Sequence, residues 1–408
     1  MRRYNIVSSA FLVTSAFLAS CTIITDKDKD KDKDTPVVEA GTPNVENQDA
    51  GSAAVDTGSP SSADAAATDA AASAIVTVAN VGAVDFTGTG DVVFTDKSGS
   101  VNTETGEAST SAASTKAYKF LEVDQPLGAG KLAVFVAKSF RFESSSVTNV
   151  QGARGVVFVA LDKIEVFGSL SGGAQHTLPG PGGSACTMSG KGGGVGGGSA
   201  AFNWNGAGGA SYCGLGGTGN SVSDAGVGGV PGPAYGSPTL IPLLGGSAGG
   251  GNLGSNGGGG GGAIQLSARG SITIGIAGAV DVGGGGGSSG CAGGSGGAIL
   301  IEAPIVTVAG TLAANGAGGA VFKGGGGNDA QPGKLATPGE EPTAGAGSAD
   351  TTINGGAGTM VAGDNNSSGA GGGGAGRIRI NTTTGAAAIT GIVSPAVSTA
   401  CVTQGMLP

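Results

Sequence analysis

Residues 297–316 read GAILIEAPIVTVAGTLAANG, and the fold turns on how often this pattern returns. An apolar run (AILIE) meets a bend at Ala303, a second run (IVTV) follows, and Gly310 leads into a third, shorter one. Three other segments lie over it: GVVFVALDKIEVFGSLSGG at 155–173, GAIQLSARGSITIGIAGAVDVGG at 262–284, and GRIRINTTTGAAAITGIV at 376–393. Each opens on an alternating apolar pair: Val157/Val159, Ile264/Leu266, Ile299/Ile301 and Ile378/Ile380. Alternation at period two marks strands, and no stretch carries a sustained helical period. A strand–bend–strand unit recurring at about 20–25 residues predicts an all-β fold, a parallel β-helix or solenoid. In such a fold each unit buries its apolar face only by stacking on the next.

Glycine separates the units. The chain has 408 residues and 87 glycines, of which 10 fall in residues 1–150 and 77 in 151–408. There is no strict G-X-Y period, which excludes collagen. The stretches 172–262, 283–297 and 313–376 read as long glycine-rich insertions between strand units. They are either projecting loops or extended polyglycine-II-like segments packed side by side. With 17 aromatic residues, the expected core is thin and aliphatic.

The N-terminus reads as an address. Arg2 and Arg3 precede an apolar stretch from Ile6 to Leu18, too short to span a bilayer comfortably. Leu18-Ala19-Ser20-Cys21 then resembles the lipobox of bacterial lipoproteins. That resemblance implies a signal peptide at 1–20 and a lipid on Cys21. Thr22 in place of Asp points to the outer membrane, surface or periplasm facing. Residues 21–73 hold DKDKDKDKD at 26–34 and little that is large or apolar, so they read as a disordered tether. The body is then 74–408. The blocks 257–264, 293–316 and 371–380 resemble glycine-rich surface proteins and lipoproteins of myxobacteria and related bacteria. This implies a cell-surface setting and a β-helix-like fold, and no activity.

Charge and chemistry exclude more than they suggest. The net charge is −9, with 18 acids and 14 scattered bases after residue 73, so no basic footprint for nucleic acid is present. Besides Cys21 there are four cysteines, Cys186, Cys213, Cys291 and Cys401, which suits two disulfides in an exported chain. Cys186–Cys213 with Cys291–Cys401 is one of three pairings. Their spacing, with a single histidine (His176), fits no metal site, and no cofactor is expected. Gly-x-Ser-x-Gly occurs at 245–249, 286–290 and 293–297, as chance allows in glycine-dense sequence. Residues 324–331 partly match a calcium nonapeptide, but without tandem copies Asp329 reads as a solvated carboxylate. Glu165, Asp281 and Glu302 are the carboxylates a carbohydrate-cleaving enzyme would use, but they lie at different offsets from the unit starts and read as outward-facing solubility residues. Arg377 and Arg379 alternate on one strand, as charges that blunt a sheet edge do. The expected function is a non-enzymatic, lipid-anchored surface protein with a structural or adhesive role. Extracellular polysaccharide or matrix is its candidate partner, and a carbohydrate-active enzyme is the alternative.

Overall fold

The computed structural model describes residues 76–110, 117–222, 226–322, 324–333, 343–360 and 368–408. The signal-peptide, Cys21 and tether readings lie outside these residues. Strands are numbered in chain order. A hairpin, β1 (Val76–Val78) and β2 (Gly82–Val84), opens the described chain. One sheet runs β21 (Val402–Met406), β18 (Arg377–Thr382), β15 (Ala298–Glu302), β12 (Ala263–Ala268), β9 (Gly155–Ala160), β6 (Leu132–Ala137), β5 (Lys119–Val123). A second runs β19 (Ala388–Ile389), β16 (Ile305–Val308), β13 (Ser271–Ile274), β10 (Lys163–Val166), β7 (Ser139–Phe142), β3 (Asp91–Phe94). A third runs β20 (Ile392–Ser394), β17 (Thr311–Ala313), β14 (Ala279–Asp281), β11 (Ser169–Ser171), β8 (Val147–Gln151), β4 (Gly99–Asn102). Pairing is parallel except at β1–β2 and β5–β6. The only helix among the described residues is a 3-10 turn at Pro126–Gly128.

The β-helix or solenoid expectation is corrected here. The strands form four sheets, two of them with an antiparallel pair, and no closed barrel or solenoid is found among the described residues. The reason lies in the connections. From β11 to β12, from β14 to β15 and from β17 to β18 the chain does not turn a short corner. It leaves through the glycine-rich stretches and returns, and those stretches form a packed body of their own rather than insertions on a coil.

The strand body has two apolar layers. One face of the β6–β21 sheet, with the two other sheets, encloses Val156, Phe158, Ile264, Leu266, Ile299, Ile301, Ile378 and Ile380. The registers Val156↔Ile264 and Phe158↔Leu266 correct the expected Val157/Val159 pair by one residue. Val157 and Val159 point to the opposite face, which Leu300 of β15 shares and which the β1–β2 hairpin, Tyr212, Leu240 and Leu243 cover. A strand buried on both faces is apolar at every position, so GVVFVA carries no alternation from which to read its direction. The core is also less aliphatic than expected. Phe94 stacks on Phe142 at 4.4 Å, and Phe135, Phe140 and Phe158 close around them.

The glycine body follows a different rule. Along 369–376, the amides of Gly369 and Gly372 bond to Thr359 and Gly356. Those of Ala370, Gly373 and Gly376 bond to Ala320, Ala317 and Ala314. Those of Gly371 and Gly374 bond to Ala207 and Ala210. Every third amide returns to the same neighbour, as in an extended helix with three residues per turn. The carbonyls of this segment accept in turn from Asn220 and Gly217, from Gly293 and Gly296, and from Gly345 and Ser348. The segment therefore has six neighbours, donating to three and accepting from three. The same three-residue rhythm runs through 206–211, whose amides reach 220 and 217, 290 and 293, and 199 and 196. Glycine is required because neighbouring backbones lie where a side chain would start. A Cβ on Gly372 would collide with the Ala346 carbonyl, and one on Gly217 with the Gly356 carbonyl.

Candidate functional site

The covered face of the β6–β21 sheet carries polar groups at one end. Gln265, Ser267 and Glu302 stand on β12 and β15, and Asn381 on β18. Glu302 is 5% exposed. Its Oε2 accepts from Gln265 Nε2 at 3.1 Å and from Ser267 Oγ at 3.3 Å, and its Oε1 accepts from Asn381 Nδ2 at 3.0 Å. Asn80, at the tip of the hairpin, donates to Gln265 Oε1 at 3.1 Å, and Gln265 donates back to the Ala79 carbonyl at 2.8 Å. Burial raises the Glu302 pKa above the usual carboxylate range, while its hydrogen-bond donors pull it down. Beside it opens a cavity of about 190 Å³, lined by Thr77, Val78, Ala79, Ser267, Arg269, Glu302, Leu407 and Pro408 among others. Chemically this is a satisfied carboxyl at the wall of a small, mostly apolar cleft.

The other candidate carboxylates lie elsewhere. Glu165 is on β10 of the second sheet, held by Arg141 at 3.2 Å and Lys163 at 3.1 Å. Asp281 is on β14 of the third sheet, where Oδ1 accepts from the Gly283 amide and burial pushes its pKa up to about 7. The cleft at Glu302 is lined by neither of them. A glycosidase pair needs two carboxyls flanking one bond, roughly 5–10 Å apart, and these three belong to three different sheets.

Cys213 and Cys401 form a disulfide across a sequence separation of 188 residues. The pairing of Cys186 with Cys213 and Cys291 with Cys401 is thereby excluded. Cys186 and Cys291 are buried free thiols, and burial pushes the Cys291 thiol up to about 12. Among the described residues no group of three metal-ligating side chains comes together. Asp329 is not a solvated loop carboxylate: it accepts from the amides of His176 and Gly286, both at 2.8 Å, and so ties two segments together. Ser247 and Ser295 of the Gly-x-Ser-x-Gly motifs are fully buried: Ser295 Oγ accepts from the Ser247 amide and donates to the Ser247 carbonyl, and Ser247 Oγ donates to Tyr235 Oη. Arg377 and Arg379 do not blunt an edge, because β18 lies between β15 and β21. They instead donate to the carbonyls of Ala400 and Gln404.

Sequence reasoning missed Tyr212 and Tyr235, whose rings pack 4.4 Å apart between the two bodies. Tyr212 donates to the Leu244 carbonyl and Tyr235 to the Gly245 carbonyl. Two of the chain's four tyrosines falling inside a glycine stretch was the available signal. No family model, no curated protein and no solved structure matches the chain.

Proposed function

We propose that this chain is a non-enzymatic, lipid-anchored cell-surface protein with a structural or adhesive role. The observation that carries this reading is Leu18-Ala19-Ser20-Cys21 behind a short apolar stretch, followed by a charged, apolar-poor tether to residue 73. Multiple acyl chains on one residue anchor stably. Two features of the body support it. Its glycine segments hold each other through backbone hydrogen bonds, which suits a rigid spacer. Its candidate catalytic carboxylates stand on separate sheets, each engaged by neighbours. Among the described residues no helix is long and apolar enough to cross a membrane.

Cys21→Ala is expected to move the protein from the membrane fraction to the soluble fraction. A variant that stays with the membrane overturns the anchor. The alternative, a carbohydrate-active enzyme, would rest on the cleft beside Glu302. Release of reducing ends from a polysaccharide, abolished by Glu302→Gln, would replace the non-enzymatic reading with that one.

A further inference from the structure

The outward face of the third sheet carries a line of hydrogen-bonding side chains. β4, β8, β11 and β14 are neighbours in that sheet, and their register pairs Ser100↔Asn149, Asn149↔Ser171 and Ser171↔Asp281. Hydroxyl, amide, hydroxyl and carboxyl therefore follow one another across four strands. At the usual strand spacing the line is about 14 Å long. A shorter line, Asn102↔Gln151, lies two residues further along β4 and β8. The sequence neighbours Val101, Val150, Leu170 and Val280 turn the other way and belong to the apolar core. This alternation is what a sheet with one covered face requires.

Two cavities lie over this face and meet at Gln151. One, of about 210 Å³, is lined by Asn149, Gln151, Ser171, Gln175 and Leu178 among others. The other, of about 260 Å³, is lined by Ser100, Asn102, Glu107, Ser109 and Gln151 among others. Backbone turns wall both. The Gln175 and Leu178 amides each donate to the other's carbonyl, at 3.0 and 2.9 Å, and the His176 amide ties that turn to Asp329 Oδ1. On the other side Asn102 Oδ1 accepts from the amides of Glu104 and Thr105, and the Asn102 amide donates to the Glu107 carbonyl. The walls are thus fixed without the side-chain amides of Asn149, Gln151 and Gln175, which engage no protein group among the described residues. Gly173 also lines the first cavity, and a Cβ there would stand 3.0 Å from Asp281 Oδ2. Glycine at this position leaves room beside that oxygen.

We propose that this face binds a neutral glycan laid across β4, β8 and β11, its hydroxyls bonded by Asn149, Gln151, Ser171 and Gln175. The inference rests on the surface-protein reading above and deepens it by naming the site and the ligand class. Amide and hydroxyl side chains both donate and accept, and so does every sugar hydroxyl, so each rung of the line can serve either direction of bond. Leu178 and Pro179 on the cavity wall offer apolar surface to the C–H faces of a sugar ring. An extended peptide would pair its backbone with a strand edge, whereas these groups stand on a sheet face. An acidic polymer would meet the Glu107 carboxylate in the second cavity, a like-charge contact that costs affinity. Two cavities joined at Gln151 suit a chain of sugars rather than a single one, because several weak contacts then act together.

Affinity electrophoresis and calorimetry test it on the full-length lipidated chain in detergent, with laminarin, dextran and a soluble mannan as neutral glycans and polygalacturonate as the acidic one. Saturable binding of at least one neutral glycan is expected, and weaker binding or none of polygalacturonate. Asn149→Ala with Gln151→Ala is expected to weaken the neutral glycan about tenfold, from two lost hydrogen-bonding amides. Gln175→Ala, on the turn outside the sheet, is expected to weaken it about threefold. Ile305→Ser, an exposed position on the second sheet, is expected to leave it unchanged. No binding of any neutral glycan, polygalacturonate bound as tightly as the neutral ones, or undiminished binding by both amide variants overturns the inference. Each of these leaves the anchor standing if Cys21→Ala still releases the protein. A Cys21→Ala protein that stays in the membrane fails the underlying reading instead.

Discussion

In β15, Leu300 and Ile301 point to opposite faces of the sheet, and the backbone bonds to two neighbours, β12 and β18. In 369–376, which feeds the adjacent strand β18, there are almost no side chains to point, and the backbone bonds to six neighbouring segments. The same requirement governs both: buried N–H and C=O groups must be paired. The strand body meets it in a plane and spends the two remaining directions on apolar side chains. The glycine body meets it in all directions and has no room left for side chains. The strand body therefore tolerates exchange of one apolar residue for another of similar size. The glycine body tolerates none at its crowded positions, such as Gly217 and Gly372.

This contrast predicts a ranking of substitutions that runs against ordinary expectation. The largest effect belongs to the smallest added group. Gly217→Ala with Gly372→Ala places two methyls against backbone carbonyls and is expected to cost above ~4 kcal/mol, read from urea midpoints, because backbone cannot swing aside as a side chain can. A cost under ~1 kcal/mol would mean the segments are loosely packed. Next comes Ile301→Ala in the strand core, at about 2–5 kcal/mol from lost burial and the cavity left behind. Replacing Cys213 and Cys401 by serine is expected to cost about 2–4 kcal/mol. The bond joins the glycine body to the start of β21, so amides of 206–217 should gain exchange more than those of β9.

Smaller effects sharpen the comparison through charge. Asp281 has a folded pKa of about 7 against an ordinary 3.8. Its raised value favours the folded state fully below about pH 4, and this contribution is lost as pH rises through 7. Asp281→Asn removes that dependence. The variant should gain on the native protein between pH 4 and pH 8, by about 1–2 kcal/mol since the side chain is not wholly sealed from water. Melting curves at the two pH values check it, and parallel curves would refute it. Smallest is Lys163→Ala, which removes a half-exposed ion pair to Glu165 and should change stability by less than ~1 kcal/mol.

What the sequence revealed follows the same division. The strand repeat was legible wherever one face was apolar and the other polar, as in Ile378/Arg379/Ile380 of β18. It was illegible by one residue in GVVFVA, where both faces are covered. The extent of the glycine stretches was plain, but the choice between projecting loops and packed polyglycine-II-like segments was not, because a period carried by backbone bonds leaves no mark on a run of identical residues. The differing strand offsets of Glu165, Asp281 and Glu302 were legible, but the burial of Glu302, read as outward-facing, was not. Strand sequence places a residue along a strand, while the sheet it joins is fixed by long connections. The hydrogen bonds around Glu302 run through Gln265 to Asn80, 185 residues away in sequence, a contact with no local signature.

Hydrogen exchange across 172–376 tests the central claim most directly. If the glycine segments are a three-residue-per-turn, backbone-bonded body, the amides of 207–211, 293–297 and 369–376 exchange as slowly as those of β12 and β15, while turns 187–190 and 252–255 exchange sooner. Prompt exchange throughout the glycine segments, with protection confined to the strands, would contradict it.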